Sequence, residues 1–481
     1  MEKEEIGSKA IRSIVVLTGR SIFLQAVSAV AFFLLGIFLS PSALGVYIVV
    51  SSIMRILTLF TDVGLGAAIV QKKDDLDQTD LKTAFTIQEM LVIPVVLVGW
   101  IVSPFVSRYA GLDSDGIVLY QVLVFTLFIS SLKVIPSILL ERRLAFDKQV
   151  LPQIVEALVF NLLVVPLAYK GFGVASYSWA VLASSLVSLP IYYWLSPWKV
   201  SIGIDWTKAK KLLSFGAAYQ GKSVLAVVKD DLLTLFLSGQ VGTGGVGYWG
   251  WAQRWSYFPF RFVVDSVTKV TFPAYSRLQQ EQELLCRAIE KSLFAVSAIL
   301  FPILAALAVN VPDLIQLIPK YAKWEPAVIS FWLLCAGAAI SSLSNILVNS
   351  LDAIGKVRTT LGLMVVWIVL TWGLTVAFVT GFGFTGIAAA SFLVSLTIVL
   401  TVYLAKKHLR FHFWRNIFRQ IGACGLMIAG MILVKNCLSV GYWQIALTVG
   451  IGGIIYLGVM MLVAGHEIRQ NAAVVLKVFT K

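Results

Sequence analysis

Residues 44–73 read LGVYIVVSSIMRILTLFTDVGLGAAIVQKK. This stretch is apolar over most of its length, carries the two charges Arg55 and Asp62, and ends in Lys72 and Lys73. About 20 apolar residues in a helix cross the ~30 Å hydrocarbon layer of a membrane. Because the backbone finds no water there, it must satisfy its own hydrogen bonds, which a helix does. The stretch therefore predicts a membrane-spanning helix followed by a basic loop.

The composition indicates that the whole chain follows this pattern. Of its 481 residues 58% are hydrophobic and 13% are charged, with a mean hydropathy of +0.87, whereas soluble domains carry roughly a quarter charged residues. The first apolar run is too long for a cleavable signal peptide. We predict an all-α polytopic membrane protein with fourteen spans, near residues 13–39, 44–69, 84–107, 117–140, 151–169, 174–195, 213–238, 246–270, 289–311, 326–350, 359–380, 384–404, 418–435 and 442–464.

The basic residues predict the orientation of these spans. The chain has a net charge of +14, which in a soluble protein would suggest nucleic acid, but no nucleic-acid partner is expected here. The termini and the loops on their side hold 26 lysines and arginines, and the loops on the other side hold 5. Since basic loops stay on the cytoplasmic side, both termini are predicted to lie in the cytoplasm, with the protein in the cell's inner, cytoplasmic membrane.

Two sequence matches indicate an internal repeat of about 200 residues. Phe-Leu-Ser at 38–40 is followed by Arg55, and Phe-Leu-Ser at 236–238 is followed by Arg254. Gly-Phe-Gly precedes span 6 at 171–173 and span 12 at 381–383. Spans 1–6 and 7–12 are therefore predicted to form two lobes of the same orientation. The predicted division is an N-lobe at 1–198, an amphipathic cytoplasmic linker at 199–212, a C-lobe at 213–410, and spans 13–14 with a cytoplasmic tail at 411–481.

Charged side chains inside the predicted spans are the sharpest functional signal. A charge at the bilayer centre costs about 2.5–3.5 kcal/mol or more, so it faces a cavity or a partner. Spans 1, 2, 7 and 8 carry most of these charges, at Arg20, Arg55, Asp62, Lys222, Lys229, Asp230, Asp231, Arg254, Arg261, Asp265 and Lys269. Glu89 and Glu156 lie near the cytoplasmic ends of spans 3 and 5, where boundary residues are more common than proton carriers.

Helical spacing groups these charges into stripes that suggest a cationic cavity. Arg55 and Asp62 are seven residues apart, and Arg254, Arg261 and Asp265 share one face that Trp251 flanks. A guanidinium presents a planar fork of donors that suits phosphate oxygens, so an anionic substrate such as a diphosphate is expected. The candidate substrate-binding residues are Arg20, Arg55, Lys222, Trp251, Arg254 and Arg261, and the candidate coupling or salt-bridge residues are Asp62 and Asp265.

The same charges have alternative interpretations that the spacing leaves open. Asp265 lies four residues after Arg261 and could form a salt bridge with it. Lys229, Asp230 and Asp231 lie near the outer leaflet and could reach water. The four cysteines are scattered without metal-ligand spacing, and His408 and His412 lie in a basic aromatic loop typical of a membrane interface. No catalytic residue, metal site or cofactor is predicted.

A series of short runs along the chain resembles the polysaccharide transport family of the multidrug/oligosaccharidyl-lipid/polysaccharide exporter superfamily. The runs are LSPSALGVY (39–47), FTDVGLGAAIVQKKD (60–74), LLERRLAFDK (139–148), TFPAYSRLQ (271–279), KWEPA (323–327) and DAIGKVRTT (352–360). The resemblance implies fourteen helices, two six-helix lobes and alternating access. It also implies an oligosaccharide flippase whose substrate is carried on a polyprenyl diphosphate.

The resemblance also bears on the site residues. Related lipid II flippases carry functional arginines in spans 1, 2 and 8, which places Arg20, Arg55 and Arg254 in those roles here. A second span-1 arginine of those flippases is replaced by Gln25, which argues against lipid II as the substrate. Implied partners are a lipid-linked oligosaccharide, membrane lipids and the polymerase or assembly proteins of a polysaccharide pathway.

Two other functions fit the predicted charges and loops less well than a flippase does. A cation-coupled drug antiporter of the same fold would place unpaired acidic residues in its cavity, whereas the predicted mid-span charges are mostly basic. A membrane polymerase or glycosyltransferase would need catalytic groups on a large outer loop. The longest predicted outer loops, 108–116 and 312–325, are short and hold no catalytic carboxylate pair.

The predicted topology can be tested by labelling single engineered cysteines in intact cells. A membrane-impermeant thiol reagent added from outside should modify cysteines placed at Asp113, Thr243 and Lys320. It should not modify cysteines placed at Lys73, Lys208 and Lys407. Modification of the cysteine at position 208 from outside would contradict the topology.

Overall fold

The computed structural model describes residue 19 and residues 23–62, 64–72, 76–219 and 221–479. Within these ranges the side chains of residues 67, 215–219, 221–223 and 466–479 are not described. The described part of the chain is helical and contains no β-strand. The predicted all-α class is therefore confirmed for these residues.

The described helices are numbered in chain order. They are α1 (Phe23–Phe38), α2 (Pro41–Thr61), α3 (Leu65–Gln71), α4 (Gln78–Ile101), α5 (Ser103–Ala110), α6 (Ser114–Arg142), α7 (Phe146–Tyr169), α8 (Ala175–Leu195), α9 (Trp206–Tyr219), α10 (Gly221–Ala226), α11 (Leu232–Phe260), α12 (Ser266–Arg277), α13 (Gln282–Leu317), α14 (Val328–Ala353), α15 (Val357–Ser395), α16 (Ile398–Lys406), α17 (Phe418–Cys437) and α18 (Tyr442–Phe479). Two π-helical turns, Val227–Asp231 and Arg261–Asp265, lie before and after α11. Short 3₁₀ turns precede α14 and α17.

Ten helical stretches among the described residues are long and apolar enough to cross a membrane. One of them, Val357–Lys406, has 50 residues and covers the two predicted spans 11 and 12. Its backbone leaves the helical conformation at Gly383, between those spans. Helix α11 is likewise interrupted at Gly242, between predicted spans 7 and 8. The polytopic helical membrane fold is confirmed, and the count of fourteen spans stays a prediction.

Local sequence signals explain where several helices begin and turn. Ser40 caps α2 by accepting a hydrogen bond from the Ala43 amide at 3.2 Å, and Pro41 supplies a favourable first residue. The second glycine of each Gly-Phe-Gly motif has a positive φ, 55° at Gly173 and 57° at Gly383. Glycine adopts this left-handed conformation without steric cost. The two motifs therefore share a positive-φ glycine at the same position.

The described residues form two compact units, Met1–Gly247 and Tyr248–Lys481. In the first unit α6 packs against α2, α4 and α8, and α7 packs against α8. A buried apolar cluster that includes Ile69, Phe85 and Ile138 joins α3, α4 and α6. In the second unit α13, α17 and α18 share a core around Met427, Met431 and Tyr456. The two predicted six-helix lobes stay a prediction.

The predicted linker at 199–212 is docked on the first unit. Gly203 exchanges two hydrogen bonds with the Thr86 hydroxyl, at 3.0 and 3.1 Å, and Ala209 is buried against α3 and α4. Lys208 binds the carboxylates of Asp77 and Asp80 at 2.6 and 3.3 Å. The hydrogen bond from Lys208 lowers the pKa of Asp77 to about 2, so Asp77 is ionised at neutral pH. Lys208, one of the four lysines of the linker, is therefore paired with acidic residues at the start of α4.

Two glycines allow α2 and the region around Thr243 to pack with backbones in contact. A Cβ atom added at Gly45 would lie 1.7 Å from the Thr243 carbonyl oxygen, and one added at Gly247 would lie 1.8 Å from the Pro41 carbonyl oxygen. The Ser42 and Thr243 hydroxyls are 2.8 Å apart at the same crossing. Because the atoms approached are backbone atoms, the neighbouring segments must separate to admit a side chain.

We expect Gly45→Ala to destabilise the protein because it overpacks this crossing. The loss should be at least the ~1–3 kcal/mol that is typical of overpacked cores. It can be measured as a lowered thermal unfolding midpoint of the purified protein in detergent. Gly362→Ala is the matched control, because a Cβ at this helical glycine meets nothing within 4 Å. Equal midpoints for the two variants would contradict the prediction.

Candidate functional site

Two of the predicted substrate-binding residues are not placed by the structure. Arg20 lies outside the described residues, and Lys222 belongs to α10 but its side chain is not described. The other predicted residues are placed: Arg55 and Asp62 in the first unit, and Trp251, Arg254, Arg261 and Asp265 in the second.

Arg55 lies in α2 and binds an acidic residue from another helical segment. Its Nε donates to Asp231 Oδ1 at 2.6 Å, and its Nη2 donates to the Ser52 hydroxyl at 2.8 Å. The Arg55 side chain is 56% exposed, whereas that of Asp231 is 8% exposed. The carboxylate thus lies behind the guanidinium and fixes its orientation, while the outer edge of the guanidinium remains open.

The π-helical turn Val227–Asp231 accounts for the different environments of its charged residues. Such turns insert an extra residue into a helix and occur often at functional sites. Asp231 is buried by the turn, whereas Asp230 stays exposed and forms an ion pair of 3.7 Å with Lys229. The sequence left open that Asp231 reaches water at the outer leaflet, but the structure buries it. Residue spacing within span 2 could not indicate the pairing of Arg55 with Asp231, because the two residues are 176 positions apart.

The second π-helical turn holds Arg261 and Asp265, both of which are exposed. No ion pair joins these two described residues, so the salt bridge considered from their spacing is not formed. In a π-turn the hydrogen bonds run from i to i+5 rather than i+4, so the pairing rule for residues four apart in a regular helix does not apply across it. Arg254 is exposed on α11.

Trp251 lies in the core of the second unit. It is 1% exposed and stacks on Trp324 with ring centroids 5.3 Å apart. Its indole nitrogen donates to the Tyr321 hydroxyl at 3.2 Å. Trp251 therefore has a packing role. Its position near Arg254 in the sequence had suggested an open, substrate-binding surface, and the structure does not place it there.

A polar cavity of about 490 Å³ lies among α2, α4, α6, α7 and α8 of the first unit. Its lining includes Thr58, Asp62, Gln88, Ser130, Lys133 and Glu156. Asp62 Oδ1 accepts a hydrogen bond from the Gly64 amide at 2.9 Å. The predicted coupling role of Asp62 stays a prediction, but the structure places the residue at a cavity.

Lys133 is the charged residue that sequence reasoning missed. It is buried in α6, its Nζ lies 3.2 Å from both carboxylate oxygens of Glu156, and it donates to the Ser188 hydroxyl at 2.8 Å. These contacts join α6 to α7 and α8, and they give a partner to each of the three N–H donors of the Lys133 ammonium group. The sequence did contain a signal for this pair. Lys133 is a charge within the apolar run 117–140, and Glu156 is an opposite charge in the next predicted span.

These groups give the first unit two different polar surfaces. The Arg55 guanidinium offers directed donors to an anion. The cavity offers hydroxyl, amide and carboxylate groups to an uncharged polar ligand. Both carboxylates that pair with cations here, Asp231 and Glu156, are already neutralised, so neither is an open cation site.

The burial difference between Arg55 and Asp231 predicts an asymmetric cost of breaking their pair. Arg55→Gln should lower the free energy of unfolding more than Asp231→Asn, because it leaves a buried carboxylate unpaired. The double variant should recover part of that loss, with a coupling energy of about 0.5–3 kcal/mol. The free energy of unfolding of the wild type, the two single variants and the double variant is measured by SDS-induced unfolding in mixed detergent micelles.

The exposed pair Arg287–Glu283 on α13 is the control for this cycle. Pairs of this kind contribute about 0–1 kcal/mol. A coupling energy between Arg55 and Asp231 no larger than that of the control pair would show that their ion pair does not stabilise the fold.

Comparison with known proteins identifies the family. The model of the family described as "Polysaccharide biosynthesis protein" matches residues 34–329. A membrane protein encoded in the cps region of Klebsiella pneumoniae is 25% identical over 322 residues, which is 64% of each chain. The lipopolysaccharide biosynthesis protein WzxC of Escherichia coli K12 is 29% identical over 133 residues, 28% of this chain and 27% of WzxC. These matches thus span less than two thirds of the relatives' own lengths.

Solved structures agree on the fold. The lipid II flippase MurJ in an inward closed conformation superposes with a TM-score of 0.76 at 13% identity, over 94% of this chain and 100% of MurJ. An inward-facing multidrug resistance transporter of the MATE family gives a TM-score of 0.63 at 18% identity, over 82% of this chain and 98% of that one. At these identities the likeness concerns the fold. With the family match over more than half of its length, the chain belongs to the polysaccharide biosynthesis protein family, and the predicted resemblance to polysaccharide transport flippases is confirmed.

Proposed function

We propose that this protein is a flippase that moves a lipid-linked oligosaccharide from the cytoplasmic to the outer leaflet of the cell membrane. The carrier lipid is a polyprenyl diphosphate, and transport proceeds by alternating access of two six-helix lobes among fourteen spans with both termini in the cytoplasm. The product serves the synthesis of a cell-surface polysaccharide. The family membership and the fold shared with a lipid II flippase support this proposal.

The observation that carries the proposal is the environment of Arg55. A guanidinium has five N–H donors, and two of them bind Asp231 and Ser52. The other three have no partner among the described residues, although the side chain lies within a helix that can cross a membrane. Leaving donors of a charged group unpaired in a membrane is costly unless a ligand or a cavity receives them. A diphosphate fits this requirement, because its oxygens match the guanidinium fork.

Asp231 has a positioning role in this proposal. It holds Nε of Arg55 from the buried side, so that the fork is oriented before the substrate arrives. Little side-chain freedom is then lost on binding, which favours affinity. Asp231 also neutralises the guanidinium when no substrate is bound. The charged pair can therefore remain in the hydrocarbon layer through the empty part of the transport cycle.

Arg254 is proposed as a second phosphate-binding residue on sequence grounds. It follows its Phe-Leu-Ser motif by nearly the same distance as Arg55 follows the first one. The roles of Arg20, Lys222 and Arg261 in binding, and of Asp62 and Asp265 in coupling, stay predictions. A cation-coupled drug antiporter is less well supported, because Asp231 and Glu156 are engaged by basic residues.

We expect Arg55→Ala to lower export of the lipid-linked glycan at least about tenfold, since a charge-assisted hydrogen bond contributes about 1.5–3 kcal/mol. Arg55→Lys should restore export only in part, because lysine lacks the planar fork. Arg254→Ala should lower export as well. Export is measured as surface polysaccharide in a strain that lacks the native gene, with membrane abundance determined in parallel.

Arg287→Ala provides the control for these variants, because Arg287 is an exposed residue on α13 with an exposed acidic partner. It should export normally. If Arg55→Ala and Arg254→Ala both export at the normal rate while present in normal amounts, the proposed phosphate contacts are wrong.

A further inference from the structure

The polar cavity of the first unit lies next to Arg55 along the same helix. Arg55 and Thr58 are spaced i and i+3 on α2, and Asp62 follows at i+7 as the C-cap of the helix, so the three residues lie along the same side of it. Thr58 and Asp62 line the cavity. At 1.5 Å per residue, they lie roughly 4.5 and 10 Å along the helix axis from Arg55. A ligand group bonded to a phosphate at Arg55 can therefore reach the cavity.

The lining of the cavity has the chemistry of a polyhydroxyl site. Exposed hydroxyls are present at Thr58 and Ser130, and Gln88 adds a carboxamide whose nitrogen donates to the Thr61 carbonyl at 3.0 Å. Asp62 and Glu156 add carboxylate oxygens, which accept hydrogen bonds from hydroxyl groups. Several acceptors and donors contributed by α2, α4, α6 and α7 suit a ligand with hydroxyls around a ring.

The charges of the cavity argue against a second phosphate site. Its lysine, Lys133, has its three donors accounted for by Glu156 and Ser188, and is thus unavailable to an anion. The carboxylate of Asp62 would repel a phosphate, and the pairing of Lys133 with Glu156 leaves no excess positive charge to attract one. The open cation Arg55 and the carboxylate-rich cavity therefore suit two different parts of one ligand.

The volume of the cavity limits the size of the ligand group that it can hold. About 490 Å³ lies within the ~300–1,000 Å³ range of small-molecule pockets. This space suits one sugar ring better than a whole oligosaccharide. Thr58, Asp62 and Ser130 are exposed, so the cavity can be entered from outside the helix bundle.

We propose that this cavity binds the sugar directly attached to the diphosphate, while Arg55 binds the diphosphate itself. The inference rests on the proposed function and extends it, because it assigns recognition of the first sugar to α2, α4, α6 and α7 of the first unit. The protein then distinguishes a glycosylated carrier from the bare carrier lipid. Thr58 and Ser130 are specificity-determining residues, and Lys133 positions Glu156 by holding its carboxylate.

The test compares binding of two kinds of probe to the purified full-length protein in lipid nanodiscs. One probe is undecaprenyl diphosphate without sugar. The others are the same lipid carrying a single glucose, galactose or N-acetylglucosamine. Affinities are measured by native mass spectrometry for the wild type, Arg55→Ala, the double variant Thr58→Val/Ser130→Ala, and Thr380→Val.

We expect the wild type to bind at least one glycosylated probe more tightly than the bare lipid. The double variant should lose about three- to tenfold in affinity for that probe per hydrogen bond removed, while its affinity for the bare lipid stays unchanged. Thr380→Val is the matched control, because Thr380 is an exposed helical threonine whose hydroxyl also bonds a carbonyl of the preceding turn, outside the cavity. It should bind every probe as the wild type does.

The outcomes separate the two proposals. Equal wild-type affinity for the bare lipid and all three glycosylated lipids would overturn the sugar site. So would a double variant that weakens binding of the bare and glycosylated probes alike, since this shows a structural effect. Arg55→Ala should weaken binding of every probe. If it leaves the bare lipid bound normally, the diphosphate contact of the proposed function is wrong, whatever the sugar preference.

Discussion

The hydrocarbon layer of a membrane offers no hydrogen-bond partners, and this constraint organises the molecule. Backbone groups satisfy it by forming helices, and charged side chains satisfy it by pairing across helices. Arg55 with Asp231 and Lys133 with Glu156 are two such pairs among the described residues of the first unit. In each pair a buried side chain binds a more exposed one. The exposed fraction is 8% for Asp231 and 56% for Arg55 in the first pair, and 9% for Lys133 and 34% for Glu156 in the second. Each pair therefore has an outer member that a ligand can reach.

The π-helical turns show how the chain adjusts charge within a helix. An extra residue per turn rotates the following side chains relative to a regular helix. At Val227–Asp231 the turn separates a buried acid, which binds Arg55, from an exposed one beside Lys229. At Arg261–Asp265 the turn leaves both charges exposed and unjoined. The same local distortion thus occurs at both places where predicted spans 7 and 8 carry several charges.

The proposed division of the ligand into an anionic part and a polyhydroxyl part rests on this arrangement. A guanidinium held from one side can bind a diphosphate without being buried alone. A saturated lysine leaves the neighbouring cavity with hydroxyl, amide and carboxylate groups. One helix, α2, carries Arg55 and two residues of the cavity lining on one face. Recognition of both parts of a lipid-linked sugar would therefore depend on the rotation of a single helix, which the capping by Ser40 and the close packing at Gly45 help to fix.

The sequence by itself determined the class of fold, because apolar runs of about 20 residues with sparse charges can only be membrane helices. It also located Arg55 and Asp62, since charges within such runs are rare, and the short family motifs were enough to indicate a polysaccharide transporter. It could not show that Asp231 binds Arg55, that Lys133 binds Glu156, or that Trp251 is buried. Those facts depend on which helix faces lie against each other, over separations of 176, 23 and 73 residues for Arg55–Asp231, Lys133–Glu156 and Trp251–Trp324. Helical periodicity reports which residues share a face of one helix. Only the packed structure decides what that face meets.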